Sequence, residues 1–138
     1  MRIFLGADHA GFELKEVLKK YLAELGHEVE DKGAFKYDSG DDYPDFVRQV
    51  AEAVANDPEA SRGVILGKSG QGEAMVANRV NGVRAAVYYG GNLELIKLSR
   101  EHNNSNILSL GAGFIAEDEA KKALELWLET PFAGGRHK

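Results

Sequence analysis

The sequence predicts an α/β fold, a Rossmann-like three-layer sandwich built on a five-stranded parallel sheet. Two observations carry the prediction. Short apolar runs alternate with longer amphipathic ones five times along 138 residues. That alternation implies right-handed βαβ units, whose parallel sheet must be covered on both faces. Hydrophobic residues make up 43% and charged residues 28% of the chain, a globular composition on a length that can bury a core without staples. Residues 1–138 read as one domain, with a polar tail over 131–138 and no repeat, linker or low-complexity segment.

Arg2–Ala7 is the first buried strand. Phe12–Leu25 follows as a helix, because Leu14, Val17, Leu18, Tyr21, Leu22 and Leu25 recur at helical spacing, and Gly26 stops it. His27–Asp31 is a short second strand and Lys32–Tyr43 a polar loop. Pro44 suits a helix start, and Asp45–Asn56 carries apolar Phe46, Val47, Val50, Ala53 and Val54. Arg62–Gly67 holds the third strand, with Val64, Ile65 and Leu66 at its centre. A glycine-rich turn leads to a helix through about Asn78. Val83–Tyr88 is a strand, Asn92–His102 a helix, Asn106–Leu110 the fifth strand and Glu117–Glu129 the last helix, stopped by Pro131.

Composition excludes several functions. Net charge is −5 with no basic stripe, so a nucleic-acid partner is not expected. The absence of cysteine excludes disulfides, thiolate catalysis and thiolate metal sites. The opening MRIFLGADHAG is too short an apolar run for a signal or membrane segment. A cytoplasmic protein without a membrane partner is expected. No histidine pair has metal-ligand spacing, and the acidic run Asp38, Asp41 and Asp42 lacks the pattern of a calcium loop and reads as solvated surface.

Ligands of such sheets collect at the carboxyl ends of the strands. Asp8 and His9 close the first strand. An acid beside an imidazole can shuttle protons or hold an anion, although Asp8 can equally serve as a helix cap. Gly67-Lys68-Ser69-Gly70-Gln71-Gly72-Glu73 joins a strand to a helix. Its glycines and helix-start N–H groups favour an anion, but its spacing is neither a dinucleotide fingerprint nor a P-loop, so NAD and ATP are not expected. Glu73 is either an acid placed for the helix dipole or a general base beside oxyanion donors. His102 and Asn103 end a helix ahead of the fifth strand. His102 is read as facing the ligand edge, with a helix C-terminal role as the alternative. Arg136 lies in a basic tail that is solvated or clamps a phosphate.

The motifs GADHAGFELK, DDYPDF, GKSGQGE-x-x-x-AN, SREHNNSNILSLG and GGRH lie in order across nearly the whole chain. Together they resemble the ribose-5-phosphate isomerase B family, which also holds galactose-6-phosphate isomerase subunits. The resemblance implies cofactor-free and metal-free aldose–ketose isomerisation through an enediolate. It also implies a homodimer with composite sites, a tetramer being left open. Some members place a cysteine directly after the third strand. Gly67 stands there in this chain, and Glu73 matches the members that use a glutamate base. By the same resemblance Glu73 moves the proton, and Ser69 with the N–H groups of Gly70, Gln71, Gly72 and Glu73 stabilises the enediolate. Asp8 and His102 open the sugar ring, His9 and Arg136 hold the phosphate, and Tyr43 and Asn103 touch the sugar. His102 and Asn103 typically come from one subunit and Glu73 from the other. The substrate expected is ribose 5-phosphate, with allose or galactose 6-phosphate as the nearest alternative and a non-catalytic phosphosugar-binding module behind it.

Two departures stand out. Gly113 occupies a position where the family usually carries arginine, and the chain ends just past GGRH, where members usually continue into a helix with another arginine. Lys68 stands where glycine is common.

Overall fold

The computed structural model describes residues 1–33 and 43–134, the side chains of Tyr43 and Pro44 excepted. The elements run β1 (Arg2–Ala7), α1 (Phe12–Glu24), β2 (Glu28–Asp31), α2 (Tyr43–Asn56), β3 (Ser61–Gly67), α3 (Gln71–Ala77), β4 (Ala85–Tyr88), α4 (Glu94–Glu101), β5 (Ile107–Gly111) and α5 (Glu117–Glu129). A 3₁₀ turn over His9–Gly11 joins β1 to α1. The five strands form one parallel sheet in the order β2-β1-β3-β5-β4. Strand–helix alternation leaves little else, since each parallel crossover needs a helix to return the chain.

The pleat divides the core in two. Ile3, Leu5 and Ala7 of β1 point to the face covered by α1, α4 and α5, where they join Leu18, Leu22, Ile96, Leu124 and Trp127. Phe4 points the other way, to Val47, Val50 and Val54 of α2 and Ala77 of α3. Central β3 is buried along nearly its whole length and contributes Val64 and Leu66 to one face and Ile65 to the other. Each such side chain stabilises the fold by roughly 1.5–3 kcal/mol relative to exposure.

One boundary moves for a visible reason. β4 begins at Ala85, not Val83. The Arg84 N–H donates to the Asn106 side-chain oxygen at 2.7 Å, and the Asn78 amide brackets Ala85, accepting from its N–H at 2.8 Å and donating to its carbonyl at 3.2 Å. Side chains thus replace ladder bonds at the strand entrance. Helix α2 also begins earlier than expected, at Tyr43.

The order of strands sets where a ligand can bind. α1 leaves β1 toward one face of the sheet, whereas α3 leaves β3 toward the other. A crevice therefore opens outside the carboxyl ends of β1 and β3, the topological switch point of such sheets. Among the described residues no helix is long and apolar enough to cross a membrane.

Candidate active site

Two acids meet at this crevice. Asp8 follows β1 and caps the 3₁₀ turn, its Oδ1 accepting from the Ala10 N–H at 2.9 Å. Glu73 lies in the first turn of α3. Asp8 is 8% exposed and Glu73 5%. Both roles weighed for Asp8 are therefore compatible: it caps a turn and still reaches the crevice.

Glu73 owes its place to a missing side chain. A Cβ at Gly67 would fall inside the Glu73 carboxyl group, so only glycine at the end of β3 lets the carboxylate lie across the strand terminus. The loop that delivers it turns at Gly70, whose φ of +81° is left-handed and suits glycine. Ser109 in β5 fixes that turn by donating its hydroxyl to the Gly70 carbonyl at 2.6 Å, and the Gln71 N–H donates to Ser69 Oγ at 3.2 Å.

Burial raises the Glu73 pKa above the ordinary carboxylate range, and the charge of nearby Asp8 adds to the effect. The backbone N–H groups of Glu73 and Gly70 pull in the opposite direction and do not prevail. A carboxylate with raised proton affinity, close to amide donors, is equipped to remove a proton from carbon and to return it.

The other candidates divide. His9, Ser69, Gly70, Gln71 and Gly72 sit with Asp8 and Glu73 at the carboxyl edge. His102 and Asn103 do not, which corrects the expectation that His102 faces that edge. Helix α4 runs from the carboxyl edge back to the amino edge, because a parallel strand must be entered there. His102 ends α4, and both residues are exposed. The 7 residues of β3 separate the two edges by roughly 20 Å. The Tyr43 side chain, Arg136 and the acidic run with Asp38, Asp41 and Asp42 lie outside the described residues.

Gly113 lies in the loop after β5 and donates its N–H to the Lys68 carbonyl at 2.9 Å. An added Cβ there would stand 2.8 Å from Lys68 Cγ. The exposed Lys68 stem therefore occupies the space beside Gly113. Gly67 as the seat of Glu73 and Ser109 as the clamp on Gly70 were not singled out from sequence. The available signals were a glycine closing a buried strand six residues before an acid, and a serine within an otherwise apolar strand. Among the described residues no group of three or more His, Asp or Glu side chains is arranged to hold a metal ion.

A buried carboxyl group of raised proton affinity at the switch point of a parallel sheet suits proton transfer on a small ligand, and known relatives place the chain among the aldose–ketose isomerases. The chain is 41% identical to ribose-5-phosphate isomerase B of Mycolicibacterium paratuberculosis, over 96% of this chain and 82% of that one. Its fold matches ribose-5-phosphate isomerase B of Mycoplasma genitalium, solved with bound ribulose-5-phosphate, at a TM-score of 0.94 and 35% identity over 99% of this chain and 88% of that one. The Clostridium thermocellum enzyme of the same name matches at a TM-score of 0.93 and 41% identity, over 99% and 90%. The chain belongs to the Ribose/Galactose Isomerase family, whose model it matches over residues 3–138.

Proposed function

We propose that this chain interconverts ribose 5-phosphate and ribulose 5-phosphate, with Glu73 as the base. The observation that carries the reading is the Glu73 carboxyl group, buried over Gly67 beside Asp8 with its proton affinity raised. The names of the relatives, and the ribulose-5-phosphate bound in one of them, support the substrate.

In the open-chain aldose the C1 carbonyl acidifies the hydrogen on C2. Glu73 takes that proton, and an enediolate forms. The proton then returns to C1, while the hydroxyl hydrogen of O2 passes to O1. One C–H bond breaks and one forms, and no external oxidant or reductant enters. Ser69 and the N–H groups of Gly70, Gln71, Gly72 and Glu73 stabilise the enediolate oxygens. As Glu73 becomes protonated, the pull of its neighbouring amides passes from the carboxylate to that oxyanion. Asp8 opens the furanose ring together with His102, and His9 and Arg136 hold the phosphate. Tyr43 and Asn103 contact the sugar.

Because His102 and Asn103 emerge at the opposite edge from Glu73, they complete the site of a second copy. The functional unit is then a homodimer. A six-carbon substrate is the second reading, since Gly113 removes a side chain. The Lys68 stem across Gly113 fills that room and favours the shorter sugar.

An assay of ribulose 5-phosphate formation tests the proposal. The wild-type chain should convert ribose 5-phosphate with a higher kcat/KM than allose or galactose 6-phosphate. Glu73→Gln should lower kcat by roughly 10²–10⁴-fold while keeping the wild-type circular dichroism. Near-normal turnover in the variant would show that the base lies elsewhere.

A further inference from the structure

Three arginines converge at the amino edge of the sheet, away from Glu73. Arg62 is the second residue of β3, Arg84 lies just before β4, and Arg100 is in the last turn of α4. They line one cavity of about 270 Å³ with Ser61, Asn104 and Glu59. Arg100 is only 4% exposed.

Each guanidinium carries five N–H donors, and few are used. Arg62 donates to the Trp127 carbonyl at 3.0 Å. Arg84 donates to the Asn104 carbonyl at 2.7 Å and the Gly82 carbonyl at 3.4 Å. Arg100 donates to the Thr130 and Ser105 carbonyls at 2.9 and 2.6 Å and to the Asn104 side-chain oxygen at 2.9 Å. Every acceptor is neutral. No carboxylate among the described residues pairs with any of the three, and Glu59 is exposed at the rim.

The arrangement is electrostatically costly as it stands. Burial, and then the charge of Arg100, lowers the Arg62 pKa to about 10. Burial, and then Arg84, lowers that of Arg100. Partly desolvated like charges are tolerated when an anion neutralises them, and forked guanidinium donors match a tetrahedral oxyanion. A role limited to capping carbonyls accounts for the bonds that are made. It does not account for three cations turned toward one cavity in a chain whose net charge is −5.

We propose that Arg62, Arg84 and Arg100 form a second anion-binding pocket, separate from the Glu73 crevice, that takes a small phosphate-bearing molecule. The pocket does not depend on the isomerase reading. It does adjoin the segment carrying His102, because Arg100 grips Asn104 and Ser105 directly after it.

The fold supplies a reporter. Trp127 is the only tryptophan in the chain. The Arg62 guanidinium lies 5.2 Å from its ring centre, and its indole N–H donates to Ser105 Oγ at 2.9 Å. Titrating the full chain with inorganic phosphate, at ionic strength held constant with chloride, should change Trp127 emission saturably. Arg62→Gln and Arg84→Gln should each weaken binding by about tenfold or more. His9→Ala, at the opposite edge, should titrate like wild type. Equilibrium dialysis with labelled phosphate, run on His9→Ala alone and combined with Arg84→Gln, gives a readout independent of the Arg62–Trp127 contact. A flat wild-type titration, an equal response to chloride, or full binding in both arginine variants would overturn the proposal. So would a signal lost in His9→Ala, which would assign the phosphate to the Glu73 crevice.

Discussion

Glu73 is held where its own charge is disfavoured. Its pKa in the folded chain lies above the ordinary carboxylate value, through burial first and Asp8 second. A group shifted in that direction contributes stability that is fully present below its unfolded pKa and lost as pH rises through its folded pKa. Above its folded pKa the ionised carboxylate therefore weakens the fold. Glu73→Gln should raise the melting temperature at pH 7–8, and the gain should fade as pH drops below about 4. Equal melting temperatures at pH 7 would mean that the seat costs nothing. Lys68 offers a second test at this scale. We propose that Lys68, with its stem across Gly113, supplies charge to the substrate phosphate. Lys68→Ala should raise KM by about tenfold with kcat little changed, since the phosphate is held alike in ground and transition states. An unchanged KM would remove Lys68 from the site. Residue identities at the loop were legible in sequence, because a run such as GKSGQGE announces close backbone approach. The vacancy at Gly67 was not, because a missing Cβ acquires meaning only when the carboxyl group that fills its space is seen.

Among the elements, the junction of α1 with β2 carries the plainest pH signature. Lys15, with no exposed side-chain surface, pairs with Asp31, and Lys19 reaches the same oxygen at 3.0 Å. Burial alone would raise the Asp31 pKa, but hydrogen bonds from Lys15, the Gly33 N–H and Lys19 hold it below the usual range. Stability from such a group is present above its unfolded pKa and lost as pH falls through its folded pKa. Asp31→Asn should thus destabilise the fold by about 3 kcal/mol at pH 7, leaving a buried cation poorly compensated. Urea denaturation should show the difference shrinking toward pH 3. A difference independent of pH would mean that packing, not charge, is lost. The five strands and five helices of the described residues were readable in sequence: the long helices from their apolar spacing, β1, β3 and β5 from compact apolar runs that are buried almost throughout, half-buried β2 and β4 from short runs between turns, and α3 from the glycine-rich turn before it. The start of β4 was not. Asn78 and Asn106 end the ladder through side-chain hydrogen bonds across the chain, and a local apolar pattern carries no trace of those.

For the whole molecule the governing fact is that Glu73 and His102 stand at opposite edges of one sheet. Sequence order hides this, since both residues flank strands, and only the direction of α4 separates them. With composite sites, mixing inactive Glu73→Gln and His102→Ala chains under subunit exchange should restore about a quarter of wild-type activity, because half of the dimers pair both lesions in one site and leave the other intact. No recovery despite proven exchange would place both residues in one subunit. The proposed composite sites also predict how such lesions behave in a cell that makes the normal chain as well. Either single variant paired with a normal chain keeps one working site. A chain carrying both changes spoils each site it joins, since every site then draws one damaged half from it. Single lesions should therefore be largely silent in a mixed population, whereas the doubly altered chain should act as a dominant poison of the normal one.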